Sequence, residues 1–393
     1  MRERPEVAFV VQRYGTDVAG GSEFLARAVA ERLAAEYRIQ VFTTCARDYV
    51  TWRNELPEGS ETMNGVEVRR FRVAEERDLQ AFNAFSETLF DRPHREEDEL
   101  EWLRRQGPYV PRLVEALGAE RERFAAVVFF TYLYYPTYWG LRAAPERAVL
   151  VPTAHDEPPL RLGIYREVFS RPRAFAFLTR PEEQLVRERF PIRDRPALVA
   201  GMGVAVPEAP HEGEFRSRHG LETSYVLYAG RIDAGKGCAE MLSFFERYQR
   251  GRSEAAELVL IGRLAMSEPR QDGVRYLGYL KEADKSAAMA GARAVVCPSP
   301  YESLSIVLLE GMSLGVPGLV SARSAVLKDH CLRSNGGLFY ADGDEFAEAL
   351  DLLVRDRALR EALGAGGRRY VRQEYRWEEV LARWRSLIDA VGR

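Results

Sequence analysis

Apolar residues recur along this chain in two alternating rhythms. Short β-branched and aromatic runs at 7–11, 40–44, 66–71, 126–130, 148–151 and 174–179 read as strands, and 22–36 carries the three-and-four spacing of a helix. Strands that alternate with helices predict a parallel sheet covered by helices. Around 206–213 the rhythm lapses into proline, glycine and charge, and it then restarts with runs at 225–229, 258–261, 274–277, 294–297 and 318–321 and a helix through Met241 and Phe245. The expectation is an α/β chain of two doubly wound, Rossmann-like domains facing across a cleft. The first spans 1–205, a linker 206–222, the second 223–374, and an amphipathic helix within 375–393 repeats Val380, Leu381, Trp384, Leu387 and Ile388 on one face.

Composition narrows the function. A length of 393 residues with 46% hydrophobic content exceeds what one core usually holds. Net charge is -3 with the signs interspersed, which gives no footprint for nucleic acid. Cys45, Cys238, Cys297 and Cys331 lie far apart without metal-binding spacing, so neither disulfides nor zinc are expected. Five apolar residues at 7–11 are too few for a signal peptide, and the uncharged run 125–141, read as strand then loop, is too short to span a bilayer. A cytoplasmic chain is expected. The basic clusters at 69–72 and 104–105 alternate with acids, so membrane contact is expected only if the acceptor is a lipid. Four lysines stand against 52 arginines, which makes each lysine worth weighing.

Chemistry concentrates where strands are predicted to end, because ligands of open parallel sheets bind at the carboxyl edge. After the strand at 294–297 come Glu302 and a helix from about Ser305 to Leu314, whose free amides at Ser305, Ile306 and Val307 suit phosphate. Glu302 can accept hydroxyls of a sugar and Glu310 both hydroxyls of a ribose. Taken alone, Glu302 is an ordinary helix-start acid; Glu310 sits among Ile306, Val307, Leu308, Leu309 and Met312, where a buried carboxylate needs a partner. After 225–229, Arg231 and Lys236 flank a glycine-rich turn and can neutralise a departing diphosphate. The stretch 230–236 also spells GxxxxGK, but Gly237 replaces the hydroxyl residue an NTPase loop needs.

Three further positions follow first-half strands. Gly20 and Gly21 permit close backbone approach to a ligand, although a tight turn capped by Ser22 explains them equally well. His155 follows 148–151, with a structural role as the even alternative. Tyr132 is the one member of an aromatic-rich stretch, 129–139, singled out to stack on an acceptor; the others read as core. Asp342-Gly343-Asp344 spells a DxD metal signature, but Asp344 is read as the cap of a helix beginning at Glu345.

From the Gly20-Gly21 loop to the Trp377 helix these segments resemble glycosyltransferase family 4, the retaining transferases of GT-B fold. The resemblance implies that Glu302 holds the donor sugar, Glu310 the ribose, Arg231 and Lys236 the diphosphate, and that His155 touches the sugar from the first domain, which binds the acceptor. It implies a UDP- or GDP-hexose donor, a hydroxyl acceptor, no metal or other cofactor, retention by same-face attack, and a last helix that returns to the first domain. Leu304-Ser305 stands where many members have Phe-Gly. A phosphorylase or epimerase reaction, or binding without turnover, stays open, since a fold does not fix its chemistry.

Overall fold

Strands buried on both faces carry unbroken apolar runs, and Val7, Ala8, Phe9 and Val10 have no exposed surface. The computed structural model describes residues 4–18, 20–205, 211–250, 252 and 255–392. It divides into two compact units, Met1–Met202 with Val380–Arg393, and Gly203–Glu379.

Among the described residues the first unit holds eight strands: β1 (Glu6–Val10), β2 (Arg38–Thr44), β3 (Gly59–Met63), β4 (Val66–Phe71), β5 (Ala126–Phe130), β6 (Ala148–Val151), β7 (Ala174–Phe177) and β8 (Ala197–Val199). Their order is β3-β4-β2-β1-β5-β6-β7-β8, parallel except where β3 pairs antiparallel with β4. Val7 lies opposite Ile39 on one side and Ala126 on the other, so β1 is central. The order reverses between β1 and β5, which opens a crevice at their carboxyl ends. Phe42, Phe129, Tyr138, Phe169 and Phe177 belong to the core on the sheet.

The second unit holds β9 (Tyr225–Ala229), β10 (Glu257–Ile261), β11 (Val274–Tyr276), β12 (Val295–Cys297), β13 (Gly318–Ser321) and β14 (Gly337–Tyr340), all parallel in the order β11-β10-β9-β12-β13-β14. This is the doubly wound nucleotide-binding order, with its switch point between β9 and β12. Met241, Phe245, Leu258, Leu260, Val296 and Phe346 centre its core.

Several local expectations change. A helix, Tyr135–Ala143, follows β5 where a loop was read; Pro136 sits in its first turn, where the missing N–H removes no helical bond. Strands β3, β8 and β14 were not anticipated: β3 is a mostly exposed edge strand, and β8 is three residues long. The expected linker contains a helix, Glu212–Arg218, while 206–210 lie outside the described residues. Asp342, not Asp344, caps the helix Gly343–Arg355, accepting from the amides of Asp344 and Glu345 at 2.9 and 3.0 Å. Among the described residues, no helix is long and apolar enough to cross a membrane.

The last helix, Trp377–Gly392, belongs to the first unit from Val380 onward. Trp384 has no exposed surface; its ring stacks on Phe130 at 6.1 Å and its Nε1 donates to the Gly201 carbonyl at 3.4 Å. Truncating so large a buried ring leaves a cavity worth about 3–5 kcal/mol. Trp384→Ala is therefore expected to lower the stability of the first unit by about that amount in urea denaturation, whereas Ser386→Ala, at an exposed position of the same helix, should change it by less than about 0.5 kcal/mol.

Candidate active site

At the switch point of the second unit the loops after β9 and β12 touch. Gly237, with φ 75°, ends the first loop, and a Cβ there would lie 2.5 Å from the Pro298 carbonyl oxygen in the second. Only glycine meets both the left-handed backbone and that approach. Within the first loop, the Asp233 carboxylate accepts the Lys236 amide at 2.8 Å and pairs with Arg231, and Tyr228 donates to the Arg231 carbonyl at 2.6 Å. The turn is thus fixed by its own side chains. From it Lys236 reaches across, its Nζ 2.7 Å from Glu302 Oε1. An ammonium has three donors, so this contact leaves others for a second anion.

The helix Ile306–Leu314 starts beside this pair. Its N-cap, Ser305, is left-handed at φ 62° and ψ 71° and makes no capping bond with its side chain. The residue that stands in place of glycine therefore adopts a conformation costing a serine about 1–2 kcal/mol. Further along, Glu310 Oε1 accepts from Lys285 Nζ at 3.0 Å, while Oε2 is buried with no hydrogen-bond partner. Burial raises the Glu310 carboxyl above its ordinary pKa, against the pull of Lys285. A carboxylate oxygen left unpaired in a protein interior is costly, and a ligand hydroxyl is the kind of group that would relieve it.

The first unit presents a different edge. Gly20 precedes the helix Gly21–Leu33, and a Cβ on it would meet Glu23 Oε2 at 2.0 Å, whereas Gly21 faces open space. Ser22 caps nothing; its Oγ lies 2.8 Å from that of Thr131, which in turn accepts from Thr153 at 3.1 Å. Thr131 and Thr153, at the ends of β5 and β6, are both left-handed, with φ 68° and 50°. Such angles are outliers for β-branched residues, and strain of this kind clusters at functional edges. His155 follows, its Nδ1 3.1 Å from the Thr153 carbonyl, which only accepts, so Nδ1 carries the hydrogen. Buried Glu182 holds this stretch, accepting the Ala154 amide at 2.8 Å and the Leu178 amide at 2.6 Å, with its carboxyl pushed by burial up to about 8.

Tyr132 requires correction. It has no exposed surface; its ring packs edge-on to Tyr165 at 4.8 Å and its hydroxyl donates to Glu157 at 2.9 Å, so no face is left for an acceptor to stack on.

The pattern of residues did not single out Lys285 or His330. Lys285 was visible only as one of four lysines. His330 has no exposed surface, and its Nε2 lies 2.8 Å from the carbonyl of Leu304, the residue before Ser305. Its neighbours Val326, Leu327 and Cys331 could have signalled a histidine on a buried helix face.

Residues 212–370 match the family model described as Glycosyl transferases group 1. The chain is 31% identical over 180 residues to phosphatidyl-myo-inositol mannosyltransferase of Mycobacterium leprae, covering 42% of this chain and 46% of that protein. It is 28% identical over 178 residues to alpha-maltose-1-phosphate synthase of Mycobacterium tuberculosis, covering 39% and 45%. It thus spans about half the length of the curated relatives it matches. Over nearly the whole chain its fold is similar to sucrose-phosphate synthase from Thermosynechococcus elongatus, with TM-score 0.73 and 18% identity over 98% of each chain. The Anabaena HepE protein, solved with UDP and glucose, gives 0.71 and 12% over 98% of this chain and all of that one. The fold, two doubly wound α/β units, is that of the GT-B glycosyltransferases.

Burial depresses the His330 pKa from 6.5 to about 4. Below 6.5 the unfolded chain takes up a proton that the folded one refuses, so this group's stabilisation is complete above 6.5 and lost as pH falls towards 4. The urea-measured stability advantage of wild type over His330→Gln is expected to shrink by roughly 2–3 kcal/mol between pH 7 and pH 4.

Proposed function

We propose that this chain is a retaining glycosyltransferase of family 4 that moves a hexose from a nucleoside-diphosphate sugar, with UDP or GDP as the leaving group, to a hydroxyl acceptor without a metal. The observation that carries the reading is the pair of carboxylates at the switch point of the second unit. Glu302 is held by Lys236, and Glu310 keeps one buried oxygen unpaired.

On this reading Glu310 Oε2 accepts a ribose hydroxyl and Glu302 accepts hydroxyls of the sugar. Lys236, Arg231 and the uncapped amides of Ile306 and Val307 take the diphosphate, whose charge grows as the glycosidic bond breaks. The departing phosphate oxygen, lying on the face the acceptor attacks, removes the acceptor's proton. The first unit supplies acceptor binding, while Gly20 and Gly21 are assigned to the donor and His155 to its sugar. Support comes from the matched family model, from relatives named as mannosyltransferases, one of them GDP-mannose-dependent, and from a fold neighbour solved with UDP. The left-handed Ser305 gives the helix start the backbone turn a glycine would supply, so the departure at Leu304-Ser305 does not by itself speak for loss of turnover.

Glu310→Ala removes a charged acceptor worth about 1.5–3 kcal/mol, so the affinity for whichever of UDP and GDP binds should fall tenfold or more in isothermal titration calorimetry. Unchanged affinity for both nucleotides would sink the assignment.

A further inference from the structure

His330, on the helix Ala325–Ser334, has both ring nitrogens engaged. Nε2 lies 2.8 Å from the Leu304 carbonyl oxygen and Nδ1 3.0 Å from the Tyr370 hydroxyl. A carbonyl only accepts, so Nε2 donates, and the neutral ring leaves Nδ1 to accept from Tyr370. Tyr370 is itself held, taking a bond from Arg333 at 3.1 Å and lying 3.4 Å from the Tyr375 hydroxyl. The chain of contacts therefore runs from the helix Arg357–Glu374 through an imidazole to one backbone carbonyl of the loop after β12.

That carbonyl sits at a strained point. Glu302 lies two residues before it, and Ser305, the next residue, occupies a left-handed conformation that a serine leaves unless its surroundings over-determine it. A buried N–H needs an acceptor, and this one takes it from the backbone of the loop that carries Glu302.

We propose that His330 is a positioning residue that pins the Leu304 carbonyl and so holds Ser305 left-handed, setting the direction of Glu302 and of the amides of Ile306 and Val307. Its consequence for donor binding rests on the proposed function; the pinning itself does not. Glutamine can bring an amide donor close to the position of the imidazole Nε2, whereas leucine fills similar space with no donor. Tyr370→Phe leaves the ring in place and removes only the hydroxyl that orients it.

The test compares hydrogen exchange of the ligand-free full chain, read by mass spectrometry, in wild type, His330→Leu, His330→Gln and Tyr370→Phe. His330→Leu is expected to speed exchange across 303–309 roughly tenfold while β9 and β10 keep wild-type rates. His330→Gln should restore most of the protection, and Tyr370→Phe should show a smaller rise in the same segment. In titrations with UDP and GDP, His330→Leu should weaken binding roughly tenfold and His330→Gln should stay near wild type. Unchanged exchange across 303–309 in His330→Leu, or a glutamine variant as impaired as the leucine one, overturns the proposal. If His330→Leu does not fold, Tyr370→Phe decides, and wild-type exchange rates in that variant overturn it. A wild-type chain that binds neither nucleotide overturns the donor reading alone, and the exchange comparison still decides the pin.

Discussion

The ion pair between Lys236 and Glu302 closes a gap that strand order creates. Because β9 and β12 are neighbours in the sheet but far apart in sequence, the loops leaving them diverge to opposite helical layers, and nothing in the sheet itself fixes their separation. A side-chain contact across the switch point does, and it is possible only because Gly237 lets the first loop approach the backbone of the second. The loop that carries Arg231 and Lys236 and the loop that carries Glu302 are joined through that contact.

A pair of half-exposed charges contributes little to stability by itself, since water and side-chain entropy offset most of its attraction. Its value lies in geometry. Glu302 and Lys236 are each other's partners, and on the proposed reading a ligand offering hydroxyls to one and phosphate to the other takes over that bond. Glu310 is arranged differently: Lys285 satisfies one oxygen and burial leaves the other without a partner. On the proposed reading, one carboxylate exchanges a partner when the donor binds and the other gains one.

Strands at the two crevices were legible because parallel strands buried on both faces need unbroken apolar runs, and 126–130 and 225–229 match the observed bounds of β5 and β9. The edge strand β3 was not, since its sequence Gly-Ser-Glu-Thr-Met lacks any apolar alternation and pairs only through β4. At the site, residue type and position after a strand pointed to Lys236, Glu302 and Glu310, but not to the partners that hold them. Lys285 contacts Glu310 from 25 residues away and His330 contacts Leu304 from 26, separations at which no local pattern carries information. Tyr132 shows the converse error: an aromatic at a strand end has the same sequence signature whether its ring lines a site or a core.

The two units solve one physical problem in parallel ways. A loop at the carboxyl edge of a sheet must leave its strand abruptly; after β9 and β10 Gly230 and Gly262 take positive φ, whereas after β5, β6 and β12 residues that are not glycine do so, Thr131 and Thr153 in the first unit and Ser305 in the second. Glycine would reach the same angles without strain but would also let the loop sample others. A strained residue held by a buried polar group has one available conformation, and each unit supplies such a group beside its loop, Glu182 on the Ala154 amide and His330 on the Leu304 carbonyl. The choice of group follows the backbone atom left over: an amide calls for a carboxylate, a carbonyl for a neutral imidazole whose hydrogen faces it. Rigidity at these edges is therefore obtained from the interior beneath the loops.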